Sequence, residues 1–394
     1  MSGTGASTDM ATHDLRVLTV AFAGTDQAGV HRKLAEQLRA MRALVPETRA
    51  LVFADTRVAP APGDLPYTLF DVPGGGFDLP SRSIAFHAVW DAVQQHAPDV
   101  VYVRYPIYDG HVLRFVRESP PVVFEIQTKF DLELPPEAAE HERRWAARVL
   151  PETAGLVAVT PEILDYETAR AGWAIPGHVM PNGADPDTIP FTPPHLATDR
   201  IDLVCVASFY PWHGIDRLIA GLAAERDVSD VHLHLVGDGV ALAGLRALAQ
   251  DLGVADRVHA HGRQPVSALD PWYARAHVAI GSLAPHRVGL RELAALKHRE
   301  YALRGLPMIL GGGDADFPTT LPWLRTVPAD DSPISPRAVR AFALGWTDAR
   351  RRAQIRSWAQ THLAWSAKVP GLVHFLRDIA TAGRGRGVNA RAVA

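Results

Sequence analysis

Cysteine is almost absent from this sequence of 394 residues, in which Cys205 is the single example. An intrachain disulfide is therefore excluded, and we expect a reducing, cytoplasmic compartment. No run of about 18 apolar residues occurs, which argues against a membrane-spanning helix. Residues 1–13 are rich in Ser, Thr and Gly and lack the basic start and apolar centre of a signal peptide, so we interpret them as a loose tail.

A large charge imbalance is also lacking, since 40 basic and 43 acidic residues give a net charge of −3. This balance argues against a nucleic-acid partner. Hydrophobic residues make up 47% and charged residues 21%, as in ordinary soluble globular proteins. The 18 histidines occur in no His-Glu-x-x-His pattern and one cysteine cannot form Cys-x-x-Cys, so we predict no metal site.

Short apolar runs alternate with amphipathic helical segments along most of the chain, which predicts an α/β fold with parallel sheets. The pattern begins with a predicted strand at 16–22 and restarts with another at 201–208. We therefore predict two doubly wound, Rossmann-like domains over residues 14–190 and 200–365, facing each other across a cleft. Residues 191–198 contain prolines and little periodicity, as expected of a linker.

The most informative segment runs from Glu292 to Glu300 and continues to Gly305 and Pro307. It places two carboxylates eight positions apart, the second in a helix-like stretch that ends in a Gly-x-Pro stop. A Glu-x7-Glu spacing is unspecific by itself, because glutamate is common. Its weight comes from agreement with the segments around it.

Three further segments stand in a matching order: Met180-Pro-Asn-Gly-Ala-Asp185, the strand-loop-helix pattern 206–219, and the glycine turn Val236-Gly-Asp-Gly239. Together with the Glu-x7-Glu segment they resemble the retaining glycosyltransferases with the GT-B fold, of the family 4 type (glycosyl transferases group 1). The resemblance extends from about residue 15 to residue 380. It implies a nucleotide-sugar-dependent enzyme of two domains, with a C-terminal helix, residues 366–382, that crosses back to the first domain.

The resemblance also implies roles for the residues of the motif. Glu300 would accept hydrogen bonds from the ribose hydroxyls of the donor, for which an acceptor-only carboxylate is suited. Lys297 and the helix N-terminus near it would neutralise the donor diphosphate. Glu292 would contact the transferred sugar, or lie in the first turn of the helix if the helix begins early. Residues 293–299 lack glycine and favour helix, so both alternatives stay open.

The sequence departs from the family in the loop after the first strand of the second domain. Ser208 and His213 stand there in place of the usual arginine and lysine. A histidine can still donate to a phosphate, although packing within the loop is an equal alternative for His213. Arg287 and Lys297 are the basic residues that we expect to compensate. Gly237, in the glycine turn, is expected near the donor.

In the first half, Gly29 ends a glycine-bearing loop at a helix start, where the resemblance places the donor phosphate or the acceptor. Gln127 follows a predicted strand at a place where many relatives have a histidine near the transferred sugar. A glutamine can orient a hydroxyl but cannot act as a base at neutral pH. Four basic residues would face either an anionic membrane or lipid-linked acceptor, or solvent: Arg32, Lys33, Arg39 and Arg42.

The sequence thus predicts a cytoplasmic, metal-independent retaining glycosyltransferase, with peripheral membrane contact as an option. It would move a sugar from a UDP- or GDP-linked donor to a hydroxyl acceptor (a glycan, a lipid-linked molecule or a small molecule), in polysaccharide or glycoconjugate synthesis, and it would need no cofactor besides the donor. The predicted catalytic residues are Glu292, Gln127 and Lys297, and the predicted donor-binding residues are Gly29, Ser208, His213, Gly237, Arg287, Lys297 and Glu300. The alternatives are a nucleotide-sugar epimerase on the same fold and a catalytically degenerate, glycosyltransferase-like binding protein.

Overall fold

The computed structural model describes residues 14–25, 27–57, 65–76, 79–104, 107–194 and 199–391. The first domain contains strands β1 (Val17–Phe22), β2 (Thr48–Ala54), β3 (Thr68–Asp71), β4 (Val100–Arg104), β5 (Val122–Ile126), β6 (Gly155–Ala158) and β7 (Gly177–Val179). Its helices are α1 (Ala28–Leu44), α2 (Leu79–His96), α3 (Gly110–Glu118), α4 (Pro136–Val149) and α5 (Pro161–Ala171). The seven strands form one parallel sheet in the order β3-β2-β1-β4-β5-β6-β7.

The second domain repeats this plan. Its strands are β8 (Ile201–Val206), β9 (Val231–Val236), β10 (Val258–Gly262), β11 (Val278–Ile280), β12 (Glu292–Leu293), β13 (Met308–Gly311), β14 (Gly313–Asp314) and β15 (Leu324–Val327). Its helices are α6 (Ile215–Ala224), α7 (Leu242–Asp251), α8 (Asp270–Arg275), α9 (Leu296–Leu303), α10 (Pro336–Leu344) and α11 (Ala349–His362). Six strands form a parallel sheet in the order β10-β9-β8-β11-β13-β15, and β12 pairs with β14.

The predicted fold class, two Rossmann-like parallel-sheet domains, is confirmed. The central strands are buried apolar runs such as β5 and β8, because helices cover both faces of a parallel sheet. Among the strands that the pattern did not reveal, β3, β7 and β15 lie at the sheet edges, and each has exposed or half-buried residues. A half-exposed edge strand of three or four residues carries no apolar run for a sequence pattern to detect.

The last helix, α12 (Trp365–Arg391), packs on the first domain. Its buried side chains, among them Leu372 and Leu376, lie in one cluster with Met41 of α1 and Tyr102 of β4. The Trp365 indole packs over Gly183, where an added Cβ would lie 2.7 Å from the ring. The last helix therefore contributes to the core of the first domain.

A group of buried carboxylates lies between α4 and α5. Arg170 donates from Nη1 to Oε1 of Glu167 at 2.8 Å and from Nη2 to Glu142. The other Glu167 oxygen has no hydrogen-bond partner among the described residues. Burial therefore raises the pKa of Glu167 to about 7, although Arg170 lowers it.

This raised pKa predicts how stability responds to pH. In the unfolded chain the Glu167 carboxyl ionises near pH 4.5, whereas in the folded protein it keeps its proton until about pH 7. The folded state therefore loses stability as pH rises through this interval. We expect the free energy of unfolding of Glu167→Gln, measured in urea, to rise relative to that of the wild type by about 3 kcal/mol between pH 4.5 and pH 8. Glu140→Gln, which removes a carboxylate that is 73% exposed, should show no such trend.

Candidate active site in the interdomain cleft

The two carboxylates of the Glu-x7-Glu segment lie in different elements. Glu292 begins the short strand β12, whereas Glu300 lies in α9, which starts at Leu296. Of the two alternatives for Glu292, the first turn of a helix is therefore wrong. The helix ends before Gly305, whose φ of +77° suits glycine and whose Cβ position lies 2.8 Å from the carbonyl oxygen of Arg352.

Glu300 is held by an ion pair between the domains. Its Oε2 accepts a hydrogen bond from Nη2 of Arg32 in α1 at 2.7 Å, and its Oε1 accepts from Nε of Arg304 at 3.2 Å. The Glu300 side chain is 8% exposed. Burial raises its pKa, but Arg32 and Arg304 outweigh this and the pKa is lowered overall, so the carboxylate is ionised.

The amino group of Lys297 lies in the first turn of α9 and is buried. It has no hydrogen-bond partner among the described residues. Burial lowers its pKa. The group lies close enough to Cys205 and His213 to affect the pKa of both side chains. Neither side chain carries a negative charge at neutral pH. The described part of the chain therefore gives this ammonium group no counter-charge.

His213 is buried next to this amino group. Its Nδ1 accepts the backbone N–H of Tyr210 at 3.0 Å, so a neutral imidazole carries its proton on Nε2. Burial, followed by the Lys297 charge, holds the pKa of His213 well below its usual value. His213 is thus a neutral donor, without the charge that a lysine would bring to the same place.

Ser208 and Gly237 belong to two loops in contact. Ser208 is exposed after β8. Gly237 has a φ of +136°, and a Cβ there would lie 1.9 Å from the carbonyl oxygen of Ala207. Only glycine allows the turn after β9 to approach the Ser208 loop this closely.

Arg287 does not join Lys297. Its guanidinium donates to both oxygens of Asp216 at 2.9 and 2.7 Å and to Asp331 at 2.8 Å. Hydrogen bonds to these carboxylates raise the pKa of Arg287. Its charge is therefore balanced within the second domain, where it holds residues 285–288 against α6.

In the first domain, Gln127 follows β5 and is half-buried. Its Nε2 donates to Glu125, which is also ion-paired with Lys33. A carboxylate only accepts hydrogen bonds, so this contact fixes the amide orientation, with Nε2 of Gln127 towards Glu125. Gly29 lies at the start of α1, and its Cβ position is 3.9 Å from Leu296, so the N-termini of α1 and α9 meet.

The basic residues of α1 are mostly engaged within the protein. Arg32 contacts Glu300, Lys33 is paired with Glu125, and Arg42 donates to the carbonyl oxygens of Thr48 and Pro66. Arg39 is exposed. A solvated face or a membrane contact therefore does not describe this group as a whole.

Several contacts of the cleft escaped the sequence pattern. Besides Arg32, these are Lys129 and Glu162, which hold the loop before Glu292, and Asn182, whose Nδ2 donates to the carbonyl oxygen of Ala294 at 2.7 Å. Asn182 belongs to the Pro-Asn-Gly segment, which did carry a signal. The other three lie on helix or loop positions where charged residues are common.

The structure gives two further observations. Among the described residues, no group of three or more His, Cys, Asp or Glu side chains could hold a metal ion. No described helix is both long and apolar enough to cross a membrane.

Two family models match the chain. The model described as Glycosyltransferase Family 4 matches residues 28–188, and the model described as Glycosyl transferases group 1 matches residues 200–315. These matches and the fold place the chain in the class of GT-B glycosyltransferases. More particularly, its first domain is similar to the family 4 model and its second to the group 1 model.

Among curated proteins, the chain is similar to the GDP-mannose-dependent alpha-(1-6)-phosphatidylinositol monomannoside mannosyltransferase of Mycobacterium tuberculosis, with 29% identity over 185 residues. The match covers 45% of this chain and 48% of that protein. The protein of the same name from Mycolicibacterium smegmatis is 28% identical over 184 residues, with the same coverage. The chain thus spans about half the length of the curated relatives it matches.

Solved structures share the fold at low sequence identity. Anabaena Alr3699/HepE in complex with UDP has a TM-score of 0.62 and 15% identity, with 93% of this chain and 99% of that chain covered. Sucrose-phosphate synthase from Thermosynechococcus elongatus has a TM-score of 0.65 and 17% identity, with 93% and 100% covered.

The ion pair between Arg32 and the buried Glu300 should contribute measurably to the free energy of unfolding. Arg32→Met keeps most of the side-chain length but removes the charge, leaving Glu300 with Arg304 alone. We expect the free energy of unfolding at pH 7 to fall by about 1–2 kcal/mol in a urea titration, because a buried carboxylate loses a partner. Arg39→Met, at an exposed position of the same helix, should change it by less than about 0.5 kcal/mol. Equal effects of the two changes would contradict a specific pair.

Proposed function

We propose that this protein transfers a sugar from a nucleotide diphosphosugar to a hydroxyl acceptor with retention of anomeric configuration. The observation that supports this most is the buried Lys297 amino group without a partner among the described residues. Burying an unpaired charge costs several kcal/mol, so such a group favours a bound anion. The N-terminus of α9, which no side chain caps, favours the same charge. A diphosphate at this point satisfies both.

The donor then lies along the cleft from Glu300 to Glu292. The ribose hydroxyls donate to Glu300 and displace Arg32, which turns to the diphosphate. Glu292 and the Oε1 atom of Gln127 accept hydrogen bonds from the hydroxyls of the transferred sugar. His213 donates from Nε2 to the phosphates, and the close approach at Gly237 leaves room for them. Ser208 lies at the exposed edge of this arrangement.

Transfer takes place on one face of the sugar. The bond from the anomeric carbon to the β-phosphate oxygen breaks, and a bond from the same carbon to the acceptor oxygen forms. The acceptor proton passes to an oxygen of the departing diphosphate. Lys297 and the N-terminus of α9 stabilise the charge that develops there, a role that needs neither a protein nucleophile nor a bound metal. Closed domains exclude the water that would hydrolyse the donor.

We propose GDP-mannose as the donor and a lipid-linked or glycan hydroxyl as the acceptor. The support is the name of the curated relatives, which are GDP-mannose-dependent mannosyltransferases acting on a phosphatidylinositol mannoside. Uridine nucleotides are the competing donors, since the similar HepE structure contains UDP.

One observation favours a second candidate, a glycosyltransferase-like binding protein without turnover. Ser208 and a neutral His213 stand where the family has two positive charges, so the phosphate site has lost charge. If Lys297 does not compensate, the nucleotide would bind weakly and the leaving diphosphate would gain little stabilisation. A test of Lys297 separates the two candidates.

Lys297→Met keeps the apolar stem and removes the charge at the proposed diphosphate site. We expect the dissociation constant for GDP, measured by isothermal titration calorimetry, to rise about 10–100-fold, which corresponds to about 1.4–2.8 kcal/mol. Mannosyl transfer from GDP-mannose should fall at least as much, because the charge acts on the leaving group.

Arg325→Met removes an exposed charge from the same domain and should leave GDP binding unchanged. Titrations with UDP, ADP and dTDP determine the base. Tight binding of GDP by Lys297→Met would contradict the role of Lys297 at the diphosphate. A wild-type protein that binds a nucleotide sugar without transferring or hydrolysing it would favour the binding protein.

A further inference from the structure

Two side chains of the first domain hold the backbone just before Glu292. The Oε2 atom of Glu162 accepts the N–H groups of Arg291 and Glu292 at 2.9 and 3.0 Å. Nζ of Lys129 donates to the carbonyl oxygen of Gly289 at 2.7 Å and to Oε1 of Glu162 at 2.8 Å. One acceptor and one donor from the first domain thus hold three peptide groups of the second.

Contacts within the first domain orient these two side chains. Glu162 lies in the first turn of α5, where the Thr160 side chain caps the helix by accepting the N–H of Ile163 at 3.2 Å. Lys129 lies over the ring of Tyr166, 5.1 Å from its centre. Both side chains are almost covered, at 10% and 11% exposure. Charged hydrogen bonds in such a setting are strong and directional.

Glu162 is ionised, as its role as a hydrogen-bond acceptor requires. Burial raises its pKa, but the hydrogen bonds from Lys129 and from the N–H groups of Arg291 and Glu292 outweigh burial, and the pKa is lowered overall. Glu162 is therefore an ionised acceptor with both oxygens in use. Its pairing with Lys129 neutralises both charges at the seam between the domains.

The Glu292 side chain contrasts with its fixed backbone. The carboxylate is half-buried, and among the described residues nothing donates a hydrogen bond to it. The backbone beyond it is held by the pairing of β12 with β14 and by Asn182 at Ala294. Glu292 is thus a free acceptor on a rigid segment, and part of that rigidity comes from the other domain.

We propose that Glu162 and Lys129 are positioning residues, which place the Glu292 carboxylate against the transferred sugar when the domains are closed. This inference rests on the proposed function. In the proposed pose the nucleotide half of the donor lies mainly on α9 and on the loops after β8 and β9, which belong to the second domain, and Arg32 is its one contact from the first domain. The contacts to the transferred sugar, in contrast, depend on the first domain. Closure then adds the sugar contacts to a nucleotide that is already bound.

The test compares the binding of a nucleotide with that of its sugar conjugate. Glu162→Gln keeps the shape of the side chain but replaces one accepting oxygen with an N–H₂ group, which cannot accept from Lys129 or from the backbone. We expect the dissociation constant for GDP to stay within twofold of the wild-type value. The preference for GDP-mannose over GDP should fall towards one, and kcat should fall at least tenfold. If the wild type takes uridine donors, UDP and UDP-glucose replace this pair.

Lys129→Met should give the same pattern, and it keeps the test valid if one variant fails to fold. The double variant should be no worse than either single one, because both changes remove the same hold on the loop. Glu152→Gln is the matched control, since this carboxylate of the first domain is 41% exposed and paired with Arg117. It should change neither the sugar preference nor kcat.

The possible outcomes separate this inference from the proposed function. If the wild type binds no nucleotide, both are overturned. If the wild type binds and transfers, while Glu162→Gln and Lys129→Met keep the full sugar preference and kcat, the inference fails and the function stands. If GDP binding weakens in parallel with the sugar preference, the two residues act only on the fold and the inference also fails.

Discussion

The matching of buried charges across the seam between the two domains is the constraint on which the cleft depends. A charge removed from water requires a counter-charge or hydrogen bonds, or it destabilises the fold. Glu300 obtains its partner, Arg32, from the opposite domain, and Glu162 and Lys129 neutralise each other while they hold the opposite loop. Lys297 lacks such a partner among the described residues. An unmatched positive charge therefore remains at Lys297, and the proposed function assigns the donor diphosphate to it.

The fold could be predicted from the sequence where the signal is local. Each central strand of a parallel sheet is an apolar run, and each covering helix repeats its apolar residues on one face, so both appear within a window of several residues. The edge strands β3, β7 and β15 are short and half-exposed, so their residues carry no comparable pattern. The start of α11 after α10 is also a local feature, because the Asp348 side chain accepts the N–H groups of Arg350 and Arg351.

In the candidate site, too, local features could be predicted from the sequence and contacts between distant residues could not. The spacing of Glu292 and Glu300 is a local property, and together with the family resemblance it predicts that both lie at the donor site. Their partners are not local: Arg32 lies 268 positions from Glu300, and Glu162 lies 130 positions from Glu292. Nothing in a charged helix residue indicates which distant group it meets. For this reason Arg287 was expected at a phosphate, whereas two carboxylates of its own domain balance its charge.

The return of α12 to the first domain has a mechanical consequence. The chain crosses between the domains twice, once after Asp185 and again near Leu363, and the two crossings lie side by side. Ala184 donates its N–H to the carbonyl oxygen of Leu363 at 2.9 Å and forms a bridge with Ala364. Two adjacent connections restrict the relative motion of the domains more than a single linker would. They permit a hinge rotation about one axis and resist twisting and sliding. Whenever the cleft opens and shuts, the same surfaces therefore meet again in the same register.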